Sequence, residues 1–513
     1  MNIKNLLNGV EILTEYNTND NLEITNVNYN SKLIKPGGLF VAIEGLQTDG
    51  HKYIDNAIEN GAIAVVVTKD IDNLNIPVYK TPNNRKSLAI ISGNLYDHPS
   101  KDMTLIGITA SNGKTSTSMM LKSILETSEV ESGLIGTVMY KIRDKEIPSK
   151  LTTPESLELQ GLFKEILDAG IETTVMEVSS ISQEMYRVHG TEFDVVCMNN
   201  ITREHIDQHG TFESYFEQKK KLITECKEDA FVILNLEDAH VKSLIDECPG
   251  KVITFSDVDD TADVYAKDID ISTGFGKYTL VVSRDFETKK GRAAKGEYPV
   301  ELKVAGYHSV VNSISAISMA IALGLDMDLI IKGIESYYGI ERRFQLIYDD
   351  EYMIVDDHFA NMGNIAMTLQ TLSMMSYNKA HMLYAIRGNR GVTVNGENVD
   401  TIIEWSDRVK FDTFIATKSV EIVEDHDVVS EGEEAIFKEK MDVAKIPYEL
   451  YQELTPAIDK VLDLVEEGDL ILLAGCQGMD FGAKIALENI SRRHPEKDKE
   501  KLFDVLKDRV AGV

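Results

Sequence analysis

Cysteines and long apolar runs are scarce in this sequence of 513 residues. Its four cysteines stand far apart with no C-x-x-C pair, so neither a zinc site nor a disulfide framework is predicted. We expect a reduced core thiol at Cys197. No apolar run approaches the ~20 residues of a membrane-spanning helix, and the N-terminus lacks the pattern of a signal peptide. These absences predict a cytoplasmic protein with no membrane partner.

Positive charge is scarce as well. The chain has 53 lysines and arginines against 84 aspartates and glutamates, a net charge of −31. Nucleic acids and anionic membranes attract basic surfaces, so the composition argues against both as partners. An anionic substrate must therefore be bound by local basic groups and helix N-termini. A hydrophobic content of 43% describes a globular protein, and the length suits about two to four domains.

The most informative motif is Gly107-Ile-Thr-Ala-Ser-Asn-Gly-Lys-Thr115, which lies between a predicted strand and a predicted helix. In this context backbone N–H groups and the helix N-terminus bind phosphates, Lys114 reaches the terminal phosphates, and the Thr115 hydroxyl can bind Mg²⁺. Ile108 stands where the common P-loop spacing has glycine. An incidental turn is therefore the alternative to nucleotide binding.

Short apolar runs alternate with helical patterns along the whole chain, which predicts three α/β domains in series with parallel sheets. We place the boundaries at residues 1–98, 99–338 and 339–513. The central domain contains the P-loop, a β-rich insertion near residues 252–304 and a helix predicted from Asn312 to residue 323. Four strand patterns in the last domain predict a Rossmann-like sheet.

Polar groups follow the predicted strands of the central domain. Glu177 ends one strand, at a position that suits a Mg²⁺ ligand. The next strand leads into a polar loop at residues 203–210, and a helical segment with three adjacent lysines follows at residues 215–221. The alternatives are a solvent-facing acid, a surface turn and a solvated helix face. One buried lysine among the three could instead be chemically modified, because burial lowers its pKa.

The order and spacing of these segments closely resemble the Mur ligases, ATP-dependent amide ligases that build cell-wall peptides on UDP-linked precursors. The resemblance is to the MurE type, the tripeptide synthetases. It also rests on five further segments, at residues 30–43, 48–54, 151–155, 306–312 and 339–345. It implies a UDP-precursor-binding N-terminal domain, a central ATP-binding domain and a C-terminal amino-acid-binding domain. It also implies ATP and two Mg²⁺ ions as cofactors, a UDP-linked peptide and a free amino acid as substrates, and a monomer.

The resemblance assigns roles to matching positions. The ATP-binding residues would be Ser111, Asn112, Gly113, Lys114, Thr115, Ser116, Asn312, Arg343 and Asp356. The UDP-linked substrate would contact Ser31, Thr152, Thr153, Ser179 and Arg187. The metal ligands would be Thr115, Glu177, His205 and Lys219, the last as a carbamate. Catalysis would depend on Lys114, Glu177, His205 and Lys219. An acyl phosphate would form first, and the amine of the amino acid would attack it.

The third domain departs from the family pattern where the amino acid should bind. The family's D-Y-A-H-x-P reads Asp356-Asp-His-Phe-Ala-Asn here, the D-N-P-R segment is missing near residues 415–420, and G-K-G-H-E reads Gly475-Cys-Gln-Gly-Met. These changes favour the archaeal pseudomurein peptide ligases, with a divergent bacterial MurE as the alternative. Folylpolyglutamate synthetases lack such an N-terminal domain. A silent nucleotide-binding scaffold would be expected to lose some of the catalytic residues.

Overall fold

The computed structural model describes residues 1–45, 48–71, 74–203, 209–339, 342–507 and 509. The chain forms two compact units that are interleaved along the sequence. Unit 1 comprises residues 1–265, 282–296 and 312–334, and unit 2 comprises residues 266–281, 297–311 and 335–513. Among the described residues, no helix is both long enough and apolar enough to cross a bilayer.

The first sheet of unit 1 has the strand order β1-β5-β4-β3-β2. Its strands are β1 Thr14–Tyr16, β2 Asn26–Asn28, β3 Gly38–Val41, β4 Ala62–Val67 and β5 Val78–Lys80, with helices α1 Ile3–Leu6, α2 Ile54–Glu59 and α3 Asn84–Leu95. All pairings are parallel except that of β1 with β5. The central strands are buried on both faces, as expected of a parallel sheet covered by helices.

The second sheet of unit 1 includes eight strands in the order β13-β12-β11-β6-β10-β7-β8-β9. They are β6 Thr104–Thr109, β7 Ser132–Ile135, β8 Met139–Ile142, β9 Lys145–Pro148, β10 Thr173–Glu177, β11 Val195–Met198, β12 Phe231–Asn235 and β13 Lys251–Ser256. Pairing is parallel from β13 to β7 and antiparallel from β7 to β9. The connecting helices are α4 Lys114–Thr127, α5 Ser156–Asp168, α6 Ser180–Glu184, α7 Phe212–Thr224 and α8 Ala239–Lys242. Cys197 is a buried free thiol on β11, as predicted.

The predicted β-rich stretch is present. It forms β14 Val264–Asp270, β15 Phe275–Val282, the hairpin β16 Phe286–Thr288 and β17 Gly291–Ala293, and β18 Gly296–Ala305. Helices α9 Tyr307–Ala322 and α10 Met327–Glu335 follow. Helix α9 begins five residues before the predicted start at Asn312. Gly306, with φ of +100°, makes the turn out of β18, so the helix starts immediately after it.

The C-terminal sheet of unit 2 has the order β19-β20-β24-β21-β22-β23, with β19 antiparallel to β20 and the other pairs parallel. Its strands are β19 Gln345–Asp349, β20 Met353–Asp357, β21 Ala380–Ala385, β22 Phe411–Thr417, β23 Glu449–Tyr451 and β24 Leu470–Ala474. Its helices are α11 Met362–Leu372, α12 Gly391–Trp405, α13 Glu431–Ala444, α14 Leu454–Leu464, α15 Gly482–Arg493 and α16 Lys499–Phe503. The four predicted strands are β20, β21, β22 and β24, so the α/β expectation is confirmed here too.

Candidate active site in unit 1

The glycine-containing loop lies at the carboxyl end of β6, which is a central strand between β11 and β10. Asn200, just after β11, holds the loop from one side. Its side-chain oxygen accepts the Asn112 N–H at 2.9 Å, and its amide donates to the Asn112 carbonyl at 3.0 Å. The Ser111 hydroxyl accepts the Thr202 N–H at 2.9 Å and lies 2.9 Å from the Tyr215 hydroxyl. The loop conformation is therefore set by contacts from β11 and α7.

Gly113 makes the transition from the loop to helix α4. Its φ is +89°, a left-handed conformation that side chains with a Cβ rarely adopt. A Cβ added there would also overlap the side-chain oxygen of Asn312 on α9. The Asn312 side chain is buried, and its amide nitrogen has no hydrogen-bond partner among the described residues. This donor therefore lies against the loop at the predicted nucleotide site.

Two lysine ammonium groups meet at one carbonyl oxygen of the loop. Lys114 Nζ donates to the Ala110 carbonyl at 2.7 Å and to the Ser111 carbonyl at 3.0 Å. Lys219 Nζ, on α7, donates to the same Ala110 carbonyl at 2.7 Å and to Thr109 Oγ1 at 3.3 Å. Lys219 is 2% exposed, so the run of three adjacent lysines does include one buried amine. The next lysine, Lys220, lies nearer the surface and pairs with Glu247. The arrangement places two positive charges beside the glycine-containing loop.

Glu177 lies at the end of β10, next to the loop, and is 1% exposed. Its carboxylate accepts the Thr115 hydroxyl at 3.1 Å, and also the N–H and hydroxyl of Thr137, each at 2.9 Å. The solvent-facing alternative for this acid is therefore wrong. A carboxylate and a hydroxyl oxygen at hydrogen-bond distance, beside a phosphate loop, are hard oxygen donors of the kind that Mg²⁺ requires. The residues present thus fit a magnesium ion.

The residues predicted to contact the UDP-linked substrate lie close to this acid. The Thr153 hydroxyl donates to the Glu177 carbonyl at 2.8 Å and accepts the Ser179 N–H at 3.1 Å. Thr152 and Thr137 have hydroxyl groups 3.1 Å apart. The structure therefore brings Thr152, Thr153 and Ser179 together around the end of β10.

Arg187 reaches the same region through Glu155. Its Nε donates to Glu155 at 3.1 Å and its NH1 to the Thr153 carbonyl at 3.2 Å. Arg85, on α3, donates to the other oxygen of Glu155 at 3.1 Å. The single acid thus holds two arginines in place. Sequence reasoning included Glu155 only as part of the segment 151–155 and assigned no role to Arg85. Ser31 is buried in the N-terminal sheet region, where its carbonyl accepts the Asn60 amide at 3.0 Å.

Three predicted residues fall elsewhere. His205 lies outside the described residues. Arg343 and Asp356 belong to unit 2, where Asp356 lies on β20, one residue before its end, and is buried. Its carboxylate is 3.4 Å from Arg342 Nε and 2.8 Å from a terminal nitrogen of Arg509. Sequence reasoning also missed Asn200 and Thr137. Asn200 lies two residues after the end of a predicted strand, and this position at the edge of the sheet is the signal that could have identified it.

Three family models match successive parts of the chain. The Mur ligase family catalytic domain matches residues 23–95, the Mur ligase middle domain residues 108–320, and the Mur ligase glutamate ligase domain residues 342–477. A 2,6-diaminopimelate-adding UDP-N-acetylmuramoyl-L-alanyl-D-glutamate ligase of Clostridium tetani is 30% identical over 94% of this chain and 95% of its own. The chain belongs to the Mur ligase family. The ligase of the same name from Caldanaerobacter subterraneus is 32% identical over 93% of this chain and 94% of its own.

Solved structures show the same fold. A structure of a UDP-N-acetylmuramoyl-L-alanyl-D-glutamate–2,6-diaminopimelate ligase matches with a TM-score of 0.72 at 22% identity, over 96% of this chain and 99% of its own. A pseudomurein peptide ligase type C from Methanothermus fervidus matches with a TM-score of 0.51 at 18% identity, over 88% and 94% of the two chains. Mur ligases are ATP-dependent, ADP-forming amide ligases that use Mg²⁺, and this chain is such an enzyme.

Proposed function

We propose that the enzyme adds an amino acid to a UDP-linked cell-wall peptide precursor, as the MurE type does. The observation that carries this proposal is the cluster around the phosphate loop, where Lys114 and Lys219 share the Ala110 carbonyl and Thr115 contacts Glu177. A silent scaffold has no need of this arrangement. The curated relatives add 2,6-diaminopimelate to such a precursor and align with nearly the whole chain.

The chemistry of the site follows from the poor reactivity of a carboxylate. An oxygen of the precursor's terminal carboxylate attacks the γ-phosphorus of ATP, ADP leaves, and an acyl phosphate forms. Lys114 neutralises charge on the transferring phosphoryl group, and the N–H groups of the loop and of α4 orient the phosphates. The amine of the amino acid then attacks the acyl carbon and phosphate leaves. Exclusion of water protects the acyl phosphate from hydrolysis.

Magnesium would be held by Thr115 and Glu177, with His205 and the carbamate of Lys219 completing two ion sites. When bound, the ions neutralise phosphate charge and orient the phosphoryl oxygens. The carbamate arises when the neutral Lys219 amine bonds to the carbon of CO₂ and releases a proton. A cation thereby becomes an anionic oxygen ligand. Lys219 is buried beside the loop, and its neutral amine is the form that reacts.

We place the enzyme in pseudomurein peptide synthesis, because its departures from the MurE pattern cluster in the segments expected to bind the amino acid. Peptidoglycan synthesis by a divergent MurE is the second candidate, and the bacterial relatives support it. The test is phosphate release from ATP with murein-type and pseudomurein-type UDP-linked precursors, each paired with the common amino acids and with 2,6-diaminopimelate. Turnover with one pair identifies both substrates. Retained ATP binding without turnover on any pair would contradict ligase function and favour the scaffold.

A further inference from the structure

Two of the four cysteines come together near the amino ends of β12 and β13. Cys226 follows α7 and precedes β12, and Cys248 stands three residues before β13. Both are free thiols and both are partly exposed, whereas Cys197 and Cys476 are buried. We call Cys226 and Cys248 the thiol pair. The whole of β12 and α8 separates them in the sequence, so the fold is what makes them neighbours.

A shared backbone group shows how close the two sulfurs are. The N–H of Gly250 forms a hydrogen bond with the sulfur of Cys226 and with that of Cys248. Burial and the neighbouring Cys248 raise the pKa of Cys226 to about 11, which places the second sulfur within electrostatic reach of the first. The Cys248 thiol donates to the Ile245 carbonyl at 3.5 Å, a weak bond that an oxidised sulfur can give up.

The absence of a side chain at Gly250 permits this approach. A Cβ added there would lie 2.6 Å from the Ala230 carbonyl oxygen and 3.3 Å from the Cys226 sulfur. The chain is fixed at this point, because the Lys251 N–H donates to the same Ala230 carbonyl at 2.7 Å as β13 begins. The turn that carries Cys248 is therefore held against Cys226 by the backbone, without any bond between the sulfurs.

Packing alone does not explain the thiol pair. A buried cysteine acts as a small apolar side chain, and Cys197 on β11 fits that description. Cys226 and Cys248 also pack against a hydrophobic cluster around the second sheet of unit 1, but each keeps part of its side chain exposed. Exposure admits an oxidant, and a second thiol within reach resolves the first product. The pair meets both conditions for disulfide formation.

We propose that Cys226 and Cys248 are a site of reversible oxidation, at which a small-molecule disulfide converts the two thiols into an intramolecular disulfide bond. The thiolate of one cysteine attacks a sulfur of the oxidant, and the first oxidant thiol leaves. The other cysteine attacks the protein sulfur of this mixed disulfide and expels the second oxidant thiol. The two cysteine protons pass to the two leaving thiolates, so the protein is oxidised by two electrons and the oxidant is reduced to two thiols.

The site lies away from the candidate active site. Cys226 and Cys248 stand near the amino ends of parallel strands, whereas the glycine-containing loop follows the carboxyl end of β6 in the same sheet. The new bond would join the end of α7 to the turn before β13 and close residues 226–248 into a loop. A cross-link of this kind restricts the unfolded chain, so it should lower the unfolding equilibrium constant by about 30-fold or more.

The test treats the native full-length enzyme with an excess of hydroxyethyl disulfide at mildly alkaline pH, because the raised thiol pKa makes the first attack slow near neutrality. Mass spectrometry of the intact protein and of its peptides identifies the products. The expected product has lost two hydrogen atoms and contains a Cys226–Cys248 cross-link, with Cys197 and Cys476 still free. It should unfold at a higher urea concentration than the reduced enzyme, and added dithiothreitol should reverse both changes.

Two variants serve as matched controls. Cys226→Ser and Cys248→Ser should each keep an oxidant adduct on the remaining thiol, because the residue that resolves the mixed disulfide is gone. Neither variant should gain resistance to urea on oxidation. Since the decisive product is measured in the unaltered enzyme, a variant that fails to fold does not remove the test.

Four results with the unaltered enzyme would overturn the proposal. They are no reaction of either thiol, stable oxidant adducts without a cross-link, a cross-link that forms only in urea, and a cross-linked enzyme that unfolds at a lower urea concentration than the reduced one. The last result would show that the bond forms only by distorting the fold. A cross-link that involves Cys197 or Cys476 would overturn it as well, because it would assign the reaction to unfolded chains.

Discussion

Replacement of Gly113 by alanine should separate the geometry of the phosphate loop from the general effect of losing a glycine. At φ of +89° an alanine costs about 1–2 kcal/mol, because its Cβ approaches the carbonyl. The new methyl group would also overlap Asn312 Oδ1 and lie 3.1 Å from its Cγ. Displacing a buried side chain costs a further ~1–3 kcal/mol. The expected loss for Gly113→Ala is therefore about 2–5 kcal/mol.

Gly190 provides the matched control. Its φ is +77°, and nothing lies within 4 Å of an added Cβ. Gly190→Ala should therefore show only the backbone cost of about 1–2 kcal/mol. The difference between the two variants measures the overlap with Asn312. In an Asn312→Ala background the difference in unfolding free energy between the two glycine variants should be smaller, because the overlapping oxygen is gone. The decrease measures the coupling between Gly113 and Asn312.

The assays are urea unfolding of each variant and the affinity for ATP measured by calorimetry. Gly113→Ala should bind ATP at least about tenfold more weakly, because a shift of the loop misaligns the N–H groups that bind phosphate. Gly190→Ala should bind ATP normally. If Gly113→Ala unfolds and binds ATP like Gly190→Ala, then Asn312 does not restrain the loop, and the assignment of this loop as the phosphate site is contradicted.

Two further predictions concern titratable groups. Lys219→Met should abolish phosphate release during ligation but retain ATP binding. Lys220→Met, which removes a neighbouring charge that pairs with Glu247, should remain active. Normal turnover of Lys219→Met would contradict the metal-ligand role. Burial and the charge of Arg343 lower the pKa of His308 to about 4 in the folded protein. In the unfolded chain the same imidazole has a pKa of ~6.5, so the unfolded state is protonated first as the pH falls. Stability should therefore fall as pH drops from about 6.5 to about 4, by up to ~3 kcal/mol. In His308→Asn the urea midpoint should change less over this range, and an unchanged slope would assign the effect to other groups.

Much of the fold and of the phosphate site could be predicted from the sequence because both depend on local chemistry. The strand predicted before Gly107 and the helix predicted after Gly113 follow from apolar spacing. The strand continues to Thr109, so Gly107 belongs to β6 and not to the loop. Gly113, with its positive φ, marks the junction between loop and helix. The family resemblance assigned Asn312 to the ATP site, and the structure places its side chain against Gly113. The predicted domain boundaries and the role of Asp356, which is buried between Arg342 and Arg509, stay predictions.

What the sequence could not predict was the network that holds the site. Glu155 joins Arg85 and Arg187, which are 102 residues apart along the chain, and nothing in their spacing indicates a common partner. The short strands β19 and β23 were also missed. Strand β23 has three residues, too few for a periodic pattern to distinguish it from a loop.

Substrate class is harder to predict from this sequence than reaction class. The proposed phosphate site is a contiguous loop, so its chemistry can be recognised from neighbouring residues in the sequence. Substrate choice depends on side chains at the ends of separate strands, where His358, Arg387 and Cys476 are brought together by the order β20-β24-β21. In sequence, Arg387 is one of many charged residues. Its proximity to His358 and Cys476 becomes visible only once the order of the strands is known, so the choice of amino acid has to be determined by direct assay.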